Sequence, residues 1–302
     1  MQTIIHRQGE ITPLLHPLRQ PGAPGRWAAP AARAAALVLA AGTATAQAQS
    51  GAWAVGVDVE TLRYQSTEYS AAGVRLNSES GRLPSVRLSG RWSFGDWFAE
   101  AGATVARNDV AYDGFTQLGL PLQTTTQLQL SQWGARAGRT WQVRDDARLS
   151  LSGGLEQLHL DRNILAGVGS LPLQETLNTT HAVVGVQWAQ RLGEISDTAA
   201  TVTVALDWMP ALKTRIAVNS FGLFDPITLK PGLSQDLRLS LRLDKPLTQR
   251  LGGWIGARHQ RYRPGETGTE VWTKNGVATA TVRYPGSEQS LTWLGAGLDW
   301  SF

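Results

Sequence analysis

There is no cysteine among the 302 residues, which removes disulfides, thiol catalysis and thiolate metal sites. Charge is also scarce. Asp, Glu, Lys and Arg make up 17% of the chain, against roughly 25% in an average soluble domain. Past residue 48 no stretch reaches the roughly 18 consecutive apolar residues of a membrane-crossing helix. Mean hydropathy is only −0.18, so a helical membrane protein is excluded. A surplus of one charge sign is missing too. Of 28 bases and 24 acids, the first 48 residues hold Arg7, Arg19, Arg26 and Arg33 against Glu10, which leaves 24 bases and 23 acids in the remainder. Without a concentrated basic surface there is no electrostatic case for nucleic acid.

What the chain does have is an export-type leader followed by alternation. Arg26 and Arg33 precede a nine-residue apolar stretch, residues 34–42. That is too short to span as a helix and of the length of a signal core. Ala46-Gln47-Ala48 has the form of a cleavage site. The expectation is a signal peptide over 1–48 and a mature chain over 49–302, with an uncleaved helix as the alternative.

From Ser50 onward apolar residues recur at every second position, the signature of strands with two different faces. Trp53, Val55, Val57 and Val59 oppose Asp58 and Glu60. Val86, Leu88, Trp92 and Phe94 oppose Arg87, Ser89, Arg91 and Ser93, and Gly95-Asp96 then gives a tight-turn signal. The pattern returns at 97–105, 129–141 (its phase unclear at the start), 149–156, 182–191, 200–208, 237–244, 251–262 and 291–302. That predicts about ten strands. The connections near 95, 145, 195 and 247 are short, whereas those at 65–84, 108–126, 162–178, 210–232 and 263–288 are long.

The last stretch places Leu294, Ala296, Leu298, Trp300 and Phe302 on one face and Trp293, Gly295, Gly297, Asp299 and Ser301 on the other. A final strand of this kind, ending on an aromatic, resembles the insertion signal of bacterial outer-membrane β-barrel proteins. The resemblance implies an all-β fold: a closed antiparallel up-and-down transmembrane β-barrel in the outer membrane of a Gram-negative bacterium. It implies that Leu298, Trp300 and Phe302 address the barrel-assembly machinery, and that outer-membrane lipid and lipopolysaccharide surround the wall. An even strand number, short periplasmic turns and longer outer connections suit such a barrel, as do aromatics at strand ends. A secreted β-sandwich with a Trp-rich core accommodates the strands but not the two classes of connection.

The predicted lumen face carries Arg87, Arg91, Arg136, Arg191, Arg238, Arg242 and Arg258 with Asp58, Glu60, Glu100, Glu156, Asp207, Asp236, Asp244 and Asp299. The signs nearly balance, and a ten-stranded barrel is far narrower than porins of about 16–18 strands. Arg–carboxylate pairs would fill its width. The expectation is a lumen ion-pair network, with Arg87, Arg91, Glu100, Arg136, Glu156, Asp207, Arg238, Arg242, Arg258 and Asp299 closing the bore, rather than a one-sign selectivity ring.

The size class is similar to that of the omptin proteases, which work at the outer rim with a His–Asp pair and a second pair of Asp residues. Asp109 and Asp113 stand in the second outer region, but residues 208–232 contain Asp225 and no histidine. The catalytic pattern does not carry over. Lipid-modifying barrels give another comparison. His159, Asp161 and His181 fall at the outer ends of the fifth and sixth strands, with Ser170 between them. They are candidates for a histidine-activated hydroxyl, or for polar rim residues. As a metal pair the two histidines lack a third ligand, so neither metal nor cofactor is expected. Tyr112 and Phe115 suggest a contact surface in the second loop. Arg258, Arg261 and Arg263 at the base of the fifth are candidates for lipopolysaccharide phosphates. The expected role is non-enzymatic: surface binding, adhesion or envelope structure through the outer loops toward an unknown extracellular ligand. An outer-rim enzyme or a narrow solute channel stands as the alternative.

Overall fold

Period-two patterning becomes continuous antiparallel pairing. The computed structural model describes residues 51–302 other than 116–118, 168–169 and 196–197, so the leader expected over 1–48 lies outside the described residues. The strands are β1 (Ala52–Tyr69), β2 (Arg75–Phe94), β3 (Trp97–Phe115), β4 (Pro121–Arg144), β5 (Ala147–Ile164), β6 (Leu173–Ile195), β7 (Thr198–Asn219), β8 (Ile227–Leu229), β9 (Gln235–Pro246), β10 (Leu251–Tyr262), β11 (Glu270–Lys274), β12 (Val277–Val282) and β13 (Gly286–Ser301).

Ten of them close a ring in the order β6-β5-β4-β3-β2-β1-β13-β10-β9-β7, with β7 pairing back onto β6. First and last strands meet from Ala54↔Ser301 to Tyr69↔Gly286. Across the turn-end half, closure leaves no unpaired sheet edge, as a strand-built membrane span requires. β8 is a three-residue addition beside β7, and β11–β12 form a separate hairpin. The β2–β3 turn is tight because Gly95 takes φ +54°, a left-handed value that glycine adopts without strain.

Most of the strands are longer than a membrane needs. Crossing takes about 9–11 tilted residues, yet β1 has 18 and β4 has 24. The surplus lies at the loop end. Three of the five regions expected as long loops are therefore mostly strand, and their connections shrink to 70–74, 116–120 and 165–172. Only 220–234 and 263–285 remain long.

The surplus halves read as loops because their alternation is inverted. At the turn end the outward row is apolar and exposed: Val59 at 68%, Trp133 at 58%, Leu155 at 58%, Leu294 at 60%. Just above, the apolar residues turn inward: Leu62 and Leu83, Leu128 and Leu130, Leu158 and Leu160, Leu291 and Trp293, all essentially buried. The outward row becomes Arg63, Arg82, Arg107, Gln127, Gln129 and Arg261, all exposed. These strands thus change solvent partway along, from hydrocarbon to water, and the sequence changes phase with them.

The inward apolar residues form one core with Tyr64, Tyr112, Ile216, Val218 and Tyr262, and the two long loops complete it from above through Phe224, Leu229, Trp272, Val282 and Tyr284. Asp225 joins the two loops. Its carboxylate accepts hydrogen bonds from Thr273 Oγ1 (2.7 Å) and the backbone N–H of Asn275 (3.0 Å) and Gly276 (2.9 Å), and its backbone carbonyl accepts one from Trp272 Nε1 (2.7 Å). Phe224 stacks on Trp272 at 4.5 Å between ring centroids. The result is a folded cap over the loop-end mouth. At the opposite rim Trp53, Trp92 and Phe94 pack in series, Trp300 lies beside Phe302, and Phe302 N–H donates to Trp53 O (2.9 Å). These rings make an aromatic girdle at the turn end.

Candidate functional site

At membrane level the inward face holds ion pairs. Arg238 on β9 donates through Nη1 to Glu156 on β5 (2.6 Å) and through Nε to Asp207 on β7 (2.9 Å). Asp207 also takes Arg136 Nη1 at 3.2 Å; Arg136 continues to Glu100, and Glu100 to Arg91 at 3.4 Å. Arg258 reaches Glu60 at 3.4 Å, Arg87 stands 3.9 Å from Asp58, and Arg242 binds Asp299 and Asp244. Glycines make the room. A Cβ on Gly185 would collide with the Asp207 carboxylate, and one on Gly297 with Asp58 and Trp254. Three guanidiniums also lie on aromatic faces: Arg91 over Phe98 at 4.0 Å, Arg258 over Trp293 at 4.1 Å and Arg242 over Trp254 at 4.7 Å. Opposite charges alternate around the bore, so it carries no ring of one sign. Arg191, expected on this face, is exposed at the turn end, where its backbone N–H meets Asp146 O at 2.7 Å.

A second charged cluster escaped sequence reasoning. Inside the apolar core of the loop-end half, Arg162 on β5 binds Glu175 (2.7 Å), Glu68 (3.1 Å) and Glu79 (3.0 Å), and all four are essentially buried. Tyr64 OH (3.3 Å) and Thr126 Oγ1 (2.7 Å) also donate to Glu79. Burial pushes the Glu175 carboxyl up from its ordinary value. For Arg162 burial opposes the charge, and Glu79, Glu175 and Glu68 outweigh it and hold the guanidinium well above its usual range. These residues sat in stretches read as loops. The signal available was the inverted alternation, which puts Glu68, Glu79, Arg162 and Glu175 on the same inward face as Leu62, Leu83, Leu160 and Leu177.

The rim histidines do not come together. His159 faces outward above the apolar belt; its Nδ1 is 2.7 Å from Asn178 Oδ1 and its Nε2 is 2.9 Å from Asp161 Oδ2, while Asp161 also accepts from Thr176 Oγ1 (2.6 Å). The hydrogen bond to Asp161 raises the His159 pKa above its ordinary value, ahead of the opposing effect of burial. With both ring nitrogens engaged, neither is free to take a proton from a hydroxyl. His181 points the other way, into the barrel. It is fully buried against Asp236 (Nε2–Oδ2 2.8 Å), edge-on to Tyr262. The pairing register explains the separation, since His159 opposes Asn178 and His181 opposes Glu156, on opposite sheet faces. Ser170 is occupied in its own loop, accepting from Gly167 N–H at 2.7 Å. Among the described residues no three His, Asp or Glu converge on a metal position.

Two further expectations are corrected, at Arg258 and at Tyr112. Arg258 cannot meet lipid phosphate, because its register places it inside the bore on Glu60 and Trp293. Arg261 and Arg263 do face outward, and both pair with Glu288. Tyr112 is buried in the core rather than displayed on a loop. Of the acids sought for proteolysis, Asp113 is exposed and pairs with Arg75 at 3.3 Å, and Asp225 is committed to the cap.

No family model and no curated protein matches the chain. Solved structures do. The outer membrane protease OmpT of Escherichia coli aligns with a TM-score of 0.60 at 10% identity, covering 86% of this chain and 99% of that one. The fold is that of a bacterial outer-membrane β-barrel. The translocator domain of the autotransporter NalP from Neisseria meningitidis aligns with a TM-score of 0.40 at 12% identity, over 90% and 96% of the two chains. The toluene transporter TodX of Pseudomonas putida gives 0.31 at 12% identity, over 84% and 90%. At these identities the likeness concerns the fold. For an outer-membrane β-barrel the apolar belt is the lipid-facing wall, and the turn end with its aromatic girdle is the periplasmic side.

Proposed function

We propose that this outer-membrane β-barrel does not conduct solutes and serves as a surface platform, acting in binding or envelope structure through the half that stands above the bilayer. The observation that supports this reading is a double blockade of the bore. At membrane level Arg238 and Arg136 span to acids on β3, β5 and β7, and above them an apolar core with its loop cap fills the section. The cap displays Phe221, Val271 and Val277 to solvent, and these are the residues offered to an extracellular partner. On the wall, Arg261 and Arg263 contact lipopolysaccharide phosphates together with Arg63, Arg82 and Arg107. Those last three are exposed, and among the described residues they have no carboxylate within ion-pair distance. Leu298, Trp300 and Phe302 lie on the outward face at the periplasmic rim, where the barrel-assembly machinery reads them. The test is planar-bilayer recording of the purified protein. Absence of steady conductance at moderate voltage is the expected result, and a steady unitary current would overturn the reading.

A further inference from the structure

The wall has a gap. β7 pairs with β9 over Thr201–Pro210 and with β8 over Ile216–Val218. Between these two ladders, residues 211–215 pair with β6 on one side, but on the other face residues 230–234 with a single backbone bond, Ala211 N–H to Ser234 O at 2.9 Å. The opening is a groove of about 320 Å³ lined by Leu212, Lys213, Arg215, Lys230, Pro231 and Leu233. Lys213, Arg215 and Lys230 are exposed, and among the described residues none has a carboxylate within ion-pair distance. Leu212 and Leu233 are 55% and 60% exposed. They continue the lipid-facing rows of Leu206 and Trp208 on β7 and of Leu237 and Leu239 on β9. The groove therefore has an apolar lower lip at the edge of the belt and a cationic upper lip above it.

We infer that this groove seats one phosphorylated lipid of the outer leaflet, with its phosphate among Lys213, Arg215 and Lys230 and the start of its acyl chain between Leu212 and Leu233. The inference rests on the reading that the upper half stands above the bilayer. A soluble anion would gain nothing from the leucines, and an apolar ligand nothing from three unneutralised cations. Only a molecule with both parts, held at hydrocarbon depth, uses both lips. The site differs from the contact at Arg261 and Arg263, which lies at the end of β10 and shares the counter-charge of Glu288.

The test is native mass spectrometry of the intact barrel with three probes: a diphosphorylated glycolipid, the same lipid dephosphorylated, and inorganic phosphate. The wild type is expected to retain one phosphorylated lipid. Each surface cation contributes about fivefold toward an anionic lipid, so Lys213→Gln/Arg215→Gln/Lys230→Gln should weaken retention on the order of a hundredfold. Leu212→Ser/Leu233→Ser should weaken it with no change of charge. Arg261→Gln/Arg263→Gln should leave this one lipid in place. If the triple variant does not fold, Lys230→Gln alone, outside the ring of strands, carries the test with about a fivefold loss. Undiminished retention by the charge variants, equal binding of the dephosphorylated lipid, or displacement by equimolar inorganic phosphate would each overturn the inference. Bilayer conductance, which tests the closed bore, is unaffected by any of these outcomes.

Discussion

The two halves of this barrel use one backbone plan and opposite side-chain rules. In the membrane half the outside is apolar and the inside is built of ion pairs. In the upper half the outside is polar and the inside is a packed core of leucines, tyrosines and tryptophans. The difference teaches what selects the inward face. Where the exterior is hydrocarbon, apolar side chains gain little by turning inward, so the bore is left to charged groups that satisfy one another. Where the exterior is water, the hydrophobic effect sends them inside.

The contrast is sharpest at two of the buried arginines. Arg162 in the upper half holds three carboxylates, of which Glu79 and Glu175 have no other cation at ion-pair distance among the described residues, while Glu68 and Glu79 keep hydrogen bonds from Asn77, Tyr64 and Thr126. Arg238 in the membrane half holds two, but Asp207 keeps Arg136 and Glu156 keeps a hydrogen bond from Gln132 when it is removed. Arg162→Met should therefore cost about 3–5 kcal/mol at neutral pH, as expected when a buried ion pair loses one partner. Acidification should relieve part of that loss by protonating the glutamates. Arg238→Met should cost less, about 1.5–3 kcal/mol. Urea unfolding of both variants in lipid checks the order, and equal losses would break the comparison.

Next in size is a leucine pair. Leu130→Ala empties a site in the upper core and should cost about 2–5 kcal/mol with its cavity. Leu155→Ala on the lipid-facing wall leaves no cavity, because lipid fills the space, and should cost distinctly less in the same assay.

The cap should yield without the barrel. Hydrogen bonds from the Gly276 backbone N–H, then from the Thr273 hydroxyl, hold the Asp225 carboxyl below its ordinary value. A carboxylate depressed in the folded state stabilises above its unfolded pKa and loses that contribution as pH falls through the folded one. Asp225→Ala at neutral pH, or acidification below the ordinary carboxylate range in the wild type, should raise hydrogen exchange at residues 271–276 and leave β1–β7 protected. The smallest effect is expected at His159. Its raised pKa means that the pairing with Asp161 is fully present below the ordinary histidine value and is lost as pH rises through the raised one. An NMR titration of the imidazole should show the upward shift, and Asp161→Asn should abolish it.

Much of the lower half was legible in the sequence, because Val55, Val57, Val59 or Leu237, Leu239, Leu241 alternate against charged neighbours without interruption. The upper half was not, because its apolar residues fall on the other parity. Val59 and Leu62 are three apart, as are Leu130 and Trp133, or Leu155 and Leu158. A reading that waits for one phase to continue ends the strand there and assigns the rest to a loop. The Arg162 cluster was lost for that reason. Separating His159 from His181 required the register of β5 on β6, which spacing alone does not supply. The β7 gap was equally hidden, because nothing in residues 211–215 marks a missing ladder partner.

The account depends on the membrane ending where the phase inverts. Spin labels placed one at a time on the outward row of β4 at 125, 127, 129, 131, 133, 135 and 137, in reconstituted bilayers, test this most directly. Collision with oxygen dissolved in lipid should dominate at 133, 135 and 137, and collision with an aqueous paramagnetic complex at 125, 127 and 129, with the crossover between 131 and 133. Lipid exposure extending to 127, or water exposure at 135, would contradict it.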